Sequence, residues 1–223
     1  MMRLLRKLLL LIAILLFLAV GVTALQVVIL RWHNPDSTAW VRMRVREAES
    51  KGKTLTIKHS WIPLSNMPRY LKQAVIAAED DQFYQHHGFD WDAMQKAYQL
   101  NEKKERIKRG GSTITQQLAK NLFLSPSRSY IRKAREAAIT VLMEWLLSKD
   151  RILELYLNSI EFGPGVFGVE EGAKYRFGVS ARQLSLEQAC QLASIIPSPL
   201  RYRVNGPYIE RRAEALEKIV GGE

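Results

Sequence analysis

The chain has 223 residues, which is room for one membrane segment and one domain of ordinary size, and 47% of them are hydrophobic, enough for a buried core. Its formal net charge of +11 and its pI near 9.8 indicate a polyanionic partner: nucleic acid, anionic lipid or a phosphorylated substrate. The single cysteine, Cys190, excludes an internal disulfide, and its apolar neighbours predict a small core residue.

The first thirty residues predict a membrane anchor. A basic flank comes first, made of Arg3, Arg6 and Lys7. The uncharged run over 8–30 then reaches the ~20 residues that a helix needs to cross the hydrocarbon core. The basic flank predicts that residues 1–7 stay in the cytoplasm and that the C-terminal bulk lies outside it. A signal peptide cleaved after Ala24 is the alternative, although the run is longer than the roughly 7–15 apolar residues of such a peptide.

Residues 31–60 are expected to form a juxtamembrane segment, with a helix and a short extended piece around 54–58. Trp32 and Trp40 are expected at the lipid interface, where indole side chains prefer to lie. Prolines then mark the start of a domain that is predicted to span 61–223.

Within that domain the apolar spacing predicts helices and at most a small hairpin, so the fold class is mainly α. The predicted helices cover 71–78, begin at 112, cover 129–147, begin at 148, and cover 186–195. Ser185 is expected to cap the last of them, and a Gly/Pro loop is expected at 162–165.

Glu79 lies in the most informative segment, where an apolar helical run ends in three adjacent acids, Glu79, Asp80 and Asp81. An apolar wall and neighbouring carboxylates both raise the pKa of a carboxyl group, which would suit Glu79 to act as a general base. The alternative is an acidic helix end in solvent. His86 and His87 are adjacent, so they are not expected to bind one metal together.

The segment from Gly110 to Lys120 combines two glycines with hydroxyl groups at a predicted helix start. Such a start presents unpaired N–H groups and favours an anion. One helix face, carrying Thr113, Gln116, Gln117 and Lys120, suits a phosphate or a sugar. The spacing does not match a Walker-type nucleotide loop, and a capped surface helix is the alternative.

A cationic segment follows, with Arg128 ahead of Arg132, Lys133 and Glu136. Lys133 and Glu136 are three apart and should face the same way, and the cations should keep Glu136 ionised. A surface ion-pair helix is the alternative. The basic run over 103–109 lacks the interleaved aromatic residues of a single-strand binder, so a loop near anionic lipid fits it better.

Taken in order, these blocks resemble the motifs of the family 51 glycosyltransferases, the peptidoglycan polymerases. The first motif, Glu-Asp-x-x-Phe-x-x-His-x-Gly, is matched by Glu79, Asp80, Phe83, His86 and Gly88. The second, Gly-Gly-Ser-Thr-Ile-Thr-Gln-Gln, is matched over 110–117. The third, Arg-Lys-x-x-Glu followed by Lys-x-x-Ile-Leu-Glu-x-Tyr-Leu-Asn, is matched by Arg132, Lys133, Glu136 and residues 149–158. Further likenesses at 173–178 and 186–199 extend the resemblance over about 61–203.

The resemblance implies a lysozyme-like helical glycosyltransferase domain behind one transmembrane helix, which polymerises lipid II and releases undecaprenyl pyrophosphate. Glu79 would be the catalytic base and Glu136 the second catalytic acid. The implied substrate-binding residues are Asp80, Phe83, His86, Ser112, Thr113, Gln116, Gln117, Lys120, Arg128, Arg132 and Lys133. No cofactor is required and no metal-binding residue is assigned; a divalent cation at the pyrophosphate is an additional candidate.

The expected partners are lipid II, the growing glycan chain and membrane lipids, with cell-wall synthesis or division proteins as further candidates and no nucleic acid. The expected location is the bacterial inner (cytoplasmic) membrane, crossed once, with the catalytic domain in the periplasm. The chain has no Lys-Thr-Gly motif and no room for a transpeptidase, which suits the monofunctional form of the family. Two alternatives stay open: a lytic hydrolase with Glu79 as general acid, and a non-enzymatic membrane-anchored scaffold of the cell wall.

Overall fold

A computed structural model describes residues 2–103, 111–125, 127 and 129–222 of the chain. Its first element is one long helix, α1 (Met2–Ile29). The most apolar window of α1 has a mean hydropathy of 3.0, and none of that window is buried in the protein. At 1.5 Å per residue, a helix of 28 residues is about 42 Å long, more than the ~30 Å of a hydrocarbon core. These properties are consistent with a membrane anchor, and the predicted anchor over 8–30 falls almost wholly within α1.

The rest of the described chain is mainly helical, as the apolar spacing predicts. The further helices are α2 (Ala39–Glu49), α3 (Arg69–Glu79), α4 (Trp91–Lys103), α5 (Ile114–Phe123), α6 (Tyr130–Leu146), α7 (Lys149–Ser159), α8 (Val169–Phe177), α9 (Leu186–Ile195) and α10 (Pro207–Gly221). Two single turns of 3-10 helix lie at Leu64–Asn66 and Ala181–Gln183. The predictions of α3, α5, α6, α7 and α9 are confirmed. The apolar spacing gives no prediction for α4, α8 and α10.

Hydroxyl side chains begin the four helices α5, α6, α7 and α9. The four bonds run from the N–H of Gln116 to Thr113, of Arg132 to Ser129, of Arg151 to Ser148, and of Gln188 to Ser185. Each one satisfies an N–H group that a helix start leaves unpaired. In α5 and α9 the glutamine also returns a bond to the cap, which completes a capping box. The predicted cap at Ser185 is therefore confirmed.

A small sheet closes one side of the domain. Its strands are β1 (Lys58–His59), β2 (Glu161–Gly163) and β3 (Val166–Phe167), in the order β1-β3-β2. β2 and β3 form the expected antiparallel hairpin, and β1 adds a parallel partner to β3. The sheet thereby ties the juxtamembrane segment to the loop that follows α7.

The core lies where α3, α5, α7, α9 and α10 pack against one another. Leu71, Leu118, Leu153 and Leu192 contribute one fully buried leucine each from α3, α5, α7 and α9. Cys190 is buried among them, which confirms the predicted core role, and burial raises the pKa of its thiol to about 12. Since α5 packs against α2, α6 and α7, its side chains are held from three directions.

The C-terminal end of α1 is fixed to the domain. Val27 and Leu30 are buried, and α1 packs against α6. Arg151 of α7 donates hydrogen bonds to the carbonyl oxygens of Leu30 (2.8 Å) and His33 (3.1 Å) and to Oδ1 of Asn34 (2.8 Å). Carbonyl groups at a helix end lack intrahelical donors, and this guanidinium supplies them. Helix α1 and the domain are therefore packed together.

The two tryptophans of the juxtamembrane segment have different environments. Trp32 is exposed, as expected of an indole at a lipid interface. Trp40 is half-buried, and its indole N–H donates to Oε2 of Glu161 at 3.1 Å. A buried acceptor holds this indole against the domain, and its position at the lipid interface stays a prediction.

Candidate active site

Glu79 is the last residue of α3, and its side chain is only 10% exposed. Its Oε2 accepts a hydrogen bond from Nε2 of Gln117 at 2.9 Å, and its Oε1 lies 3.8 Å from Nη2 of Arg212. Burial is the main cause that raises the pKa of Glu79, while Gln117, Arg212 and Lys120 oppose it. Asp80 contributes the smallest of the upward effects. The prediction that the pKa of Glu79 is raised is confirmed, and burial rather than carboxylate repulsion is the main cause. The alternative interpretation, an acidic helix end in solvent, is wrong.

Tyr156 determines which way the Gln117 amide faces. Its hydroxyl donates to Oε1 of Gln117 at 3.0 Å, so Nε2 of the same amide is turned toward Glu79. Tyr156 is fully buried in α7, and burial raises the pKa of its phenol well above the usual range. The result is a directed chain of donors, Tyr156 to Gln117 to Glu79, that holds the carboxylate in one orientation.

Asp80, at the C-terminal end of α3, bonds to groups inside the domain. Its Oδ2 accepts the backbone N–H of Ile114 at 2.9 Å, in the first turn of α5. Its Oδ1 lies 2.8 Å from Nε2 of His86, whose Nδ1 accepts the N–H of Gly88 at 3.0 Å. His86 therefore carries its proton on Nε2 and donates it to Asp80. Burial raises the pKa of Asp80, and the bonds from His86 and Ile114 oppose that rise.

Three other residues expected to bind substrate are buried or partnered in this scaffold. Phe83 is 0% exposed, beneath the Lys149 ammonium at 4.5 Å from its ring centroid. Thr113 and Gln116 are buried and form the capping box of α5, and the Thr113 hydroxyl donates to the Gly88 carbonyl at 2.7 Å. Like Asp80 and His86, these side chains have their bonding groups in use within the protein. Their contact with substrate stays a prediction, which their burial does not favour.

Ser112, Gln117 and Lys120 are the members of the second motif that remain half-exposed. Within the residues that the structure describes, the Lys120 ammonium has no ion pair with a carboxylate. Burial is the main cause that lowers the pKa of Lys120; Glu136 raises it, Arg132 and Lys133 lower it, and Glu79 raises it. A partly buried ammonium without a counterion is poised to bind an anion.

Glu136 holds two cations beside Lys120. It is 3% exposed on α6, and its Oε2 lies 2.6 Å from Nη1 of Arg132 while its Oε1 pairs with Nζ of Lys133. The prediction that Lys133 and Glu136 face the same way is confirmed. Arg128, a further predicted phosphate ligand, lies outside the described residues, as does most of the basic run at 103–109.

Arg212 and Tyr156 were missed in the sequence. Arg212 belongs to α10, beyond the last motif, and nothing in its local pattern points to Glu79. Tyr156 falls inside the third motif, but its place in the motif does not reveal its bond to Gln117. Among the described ranges, no group of three or more His, Cys, Asp or Glu side chains is placed to hold a metal ion, so the divalent cation stays a prediction.

Comparison with known proteins identifies the class. The transglycosylase family model matches residues 48–220, so the chain belongs to that family. A biosynthetic peptidoglycan transglycosylase of Azoarcus sp. (strain BH72) is 50% identical over 187 residues, which cover 83% of this chain and 81% of the relative. Proteins of the same name from Herminiimonas arsenicoxydans (47% over 191 residues; 85% and 83%) and Neisseria meningitidis serogroup C (49% over 168 residues; 75% and 72%) are also similar.

The family membership agrees with the fold and the site. The mainly α, lysozyme-like domain expected from the sequence is confirmed, and the chain is a glycosyltransferase. The buried carboxylate and the cations lie within the matched range.

Proposed function

We propose that this chain is a peptidoglycan glycosyltransferase that polymerises lipid II into glycan strands during bacterial cell-wall synthesis. The observation that carries the proposal is a buried carboxylate, Glu79, oriented by Gln117 and lying within electrostatic reach of Lys120, an ammonium with no ion pair among the described residues. A base beside a free cation is what a reaction needs when a hydroxyl attacks and a phosphate leaves. The names of the relatives supply the substrate class.

The reaction begins with a proton transfer to Glu79. The carboxylate accepts the proton of the acceptor sugar 4-hydroxyl, and that oxygen forms a bond to the anomeric carbon of the growing glycan. The bond from that carbon to the pyrophosphate oxygen breaks, and its electron pair leaves with undecaprenyl pyrophosphate. Attack from the opposite face inverts the linkage from α to β. A carboxyl group with a raised pKa is the stronger base, as long as it is ionised at the working pH.

The leaving pyrophosphate gathers negative charge, which fixed cations stabilise best. Lys120 is the first candidate because it has no counterion among the described residues. Arg132 and Lys133 add positive charge, and Glu136 keeps both side chains in place. In this scheme Glu136 acts as a positioning acid, and Arg128 is a further phosphate ligand.

The anchor and the substrate occupy the same bilayer in this proposal. Residues 1–7 lie in the cytoplasm, α1 crosses the inner membrane once, and the catalytic domain lies in the periplasm. The excess of positive charge then serves an anionic lipid substrate rather than nucleic acid. Other cell-wall synthesis or division proteins are proposed partners on the same membrane.

The test is a polymerisation assay with purified full-length protein and lipid II. Glu79→Gln should reduce the rate by about 10²–10⁴-fold, the usual contribution of a general base. The exposed Glu187→Gln is the matched control and should be fully active. The folded pKa of Glu79 is raised, so its ionised form destabilises the protein at neutral pH, and Glu79→Gln should unfold at the same or a higher temperature.

The same assay, run separately with lipid II and with finished glycan, distinguishes the alternative functions. Cleavage of finished glycan without polymerisation of lipid II would identify a lytic hydrolase. Neither reaction, in a protein with an intact fold, would favour a scaffold. Full polymerase activity of Glu79→Gln would remove Glu79 from the mechanism.

A further inference from the structure

The juxtamembrane helix α2 contacts the proposed pyrophosphate site directly. The Nζ atom of Lys120 lies 5.7 Å from the ring centroid of Trp40, which is the range of a cation–π interaction. Helix α2 packs along α5, the helix that carries Lys120. The face of the indole is therefore an identified neighbour of this ammonium, which lacks an ion pair within the described parts of the chain.

Glu161 holds the indole in this position, and Arg44 holds Glu161. The indole Nε1–H donates to Oε2 of Glu161 at 3.1 Å, and Nε of Arg44 donates to Oε1 of the same carboxylate at 3.0 Å. Trp40 and Arg44 are four residues apart, so both project from one face of α2. The Glu161 side chain is only 5% exposed, at the start of β2. One buried carboxylate thus fixes both side chains.

The segment that joins α1 to α2 is also held to the domain by hydrogen bonds. The chain leaves α1, passes the Arg151 bonds at Leu30 and His33, and enters α2 after Thr38, whose hydroxyl caps it. The segment between anchor and domain is therefore held at each of these points. Trp40 lies on the first turn of α2.

We infer that Trp40 is a positioning residue for Lys120: its ring face holds the ammonium in the anion site, and Glu161 holds the ring. The juxtamembrane helix is then a wall of the pyrophosphate site, in addition to its place as a linker. The inference rests on the proposed role of Lys120 at the pyrophosphate. An aromatic face attracts the ammonium without neutralising it, so the cation remains available to a phosphate.

The test compares Trp40→Leu with Trp40→Phe in the full-length protein in detergent. Loss of the ring face should raise the KM for lipid II by about 3- to 30-fold, the range of a cation–π contact that is partly shielded from water. The value of kcat should change less than about twofold, since Glu79 and its partners are untouched. Trp40→Phe keeps a ring face and loses only the bond to Glu161, so it should recover most of the affinity.

Two controls distinguish this role from others. Trp32→Leu removes the exposed tryptophan of the same segment and should leave the KM unchanged, whereas an equal effect there would point to membrane contact instead. In a double-mutant cycle on kcat/KM, Trp40→Leu should have little further effect in a Lys120→Gln protein. Additive losses, or an unchanged KM in Trp40→Leu, would overturn the inference.

Binding of inorganic pyrophosphate, measured by calorimetry, tests the anion site without turnover. Trp40→Leu should weaken this binding and Trp40→Phe should largely preserve it. An inactive wild-type protein would contradict the proposed polymerisation, yet this comparison would still decide the role of Trp40. If Trp40→Leu unfolds, Trp40→Phe and Glu161→Gln provide the test. Trp40→Phe should bind pyrophosphate almost as tightly as wild type. Glu161→Gln keeps an acceptor for the indole, so it should bind pyrophosphate no more than about threefold more weakly. Loss of binding in both, with an unchanged unfolding temperature, would overturn the inference.

Discussion

Asp80→Ala is expected to lower the stability of the protein far more than its affinity for substrate. The Asp80 side chain is 1% exposed and accepts two bonds, from His86 at 2.8 Å and from the N–H of Ile114 at 2.9 Å. Removal of the carboxylate leaves both donors without their acceptor in a buried site. Each buried donor left without an acceptor costs about 1–3 kcal/mol, so the two together cost about 2–6 kcal/mol.

That cost predicts a clear change in thermal unfolding. For a chain of this size, 1 kcal/mol corresponds to about 2–4 °C, so the unfolding temperature should fall by about 4–24 °C. Circular dichroism of the detergent-solubilised protein measures it. Below the transition, the KM for lipid II should stay within about threefold of wild type, since Asp80 has little surface to offer a ligand.

The neighbouring Asp81→Ala is the matched control, because Asp81 is exposed, and it should unfold at the wild-type temperature. An Asp80→Ala protein with unchanged unfolding and a strongly raised KM would refute the reasoning. Asp80 would then contact substrate, as the family resemblance implies.

The activity should fall as the pH drops through the raised pKa of Glu79, and Gln117→Leu should move the acid limb of kcat/KM to higher pH by removing a bond that lowers this pKa. Gly88→Ala should cost about 2–4 kcal/mol in thermal unfolding, because φ is +91° and the added Cβ would lie 2.7 Å from Cγ2 of Thr140. Arg151→Ala should cost about 1–3 kcal/mol and speed proteolysis after α1, since the carbonyl groups there lose their donor.

Each of these three expectations has a contradicting result. An acid limb that does not move in Gln117→Leu would separate this amide from the titration of Glu79. Gly52→Ala has a similar φ of +65° but no atom within 4 Å of the added Cβ, so equal losses at Gly52 and Gly88 would exclude the packing clash. Arg135→Ala, at an exposed position of α6, should be digested like wild type, and equal digestion of Arg151→Ala would show that the anchor is held by other contacts.

The helices that begin with a capping bond between near neighbours could be predicted from the sequence. Thr113 and Ser185 bond to N–H groups three residues ahead, so the signal and the structure lie in the same short segment. Helix α10 is different, because no side chain caps its start and its buried face forms against α3 and α9. The local sequence pattern therefore does not predict the helix that brings Arg212 to Glu79.

The mainly α class, the apolar N-terminal helix, the family and the choice of Glu79 as candidate base could all be predicted from the residues in order. These rest on periodicity, on local caps and on short motifs, which a linear chain displays directly. The surroundings of that base could not be predicted, because they form only when distant helices pack together. The Gln117 amide reaches Glu79 across 38 positions, Arg212 reaches the end of α3 across 134, and Trp40 meets Glu161 across 121. Burial and charge act through space. The raised pKa of Glu79, the hydrogen bonds to Asp80 and the contact between Trp40 and Lys120 therefore follow from packing between segments that are remote in sequence.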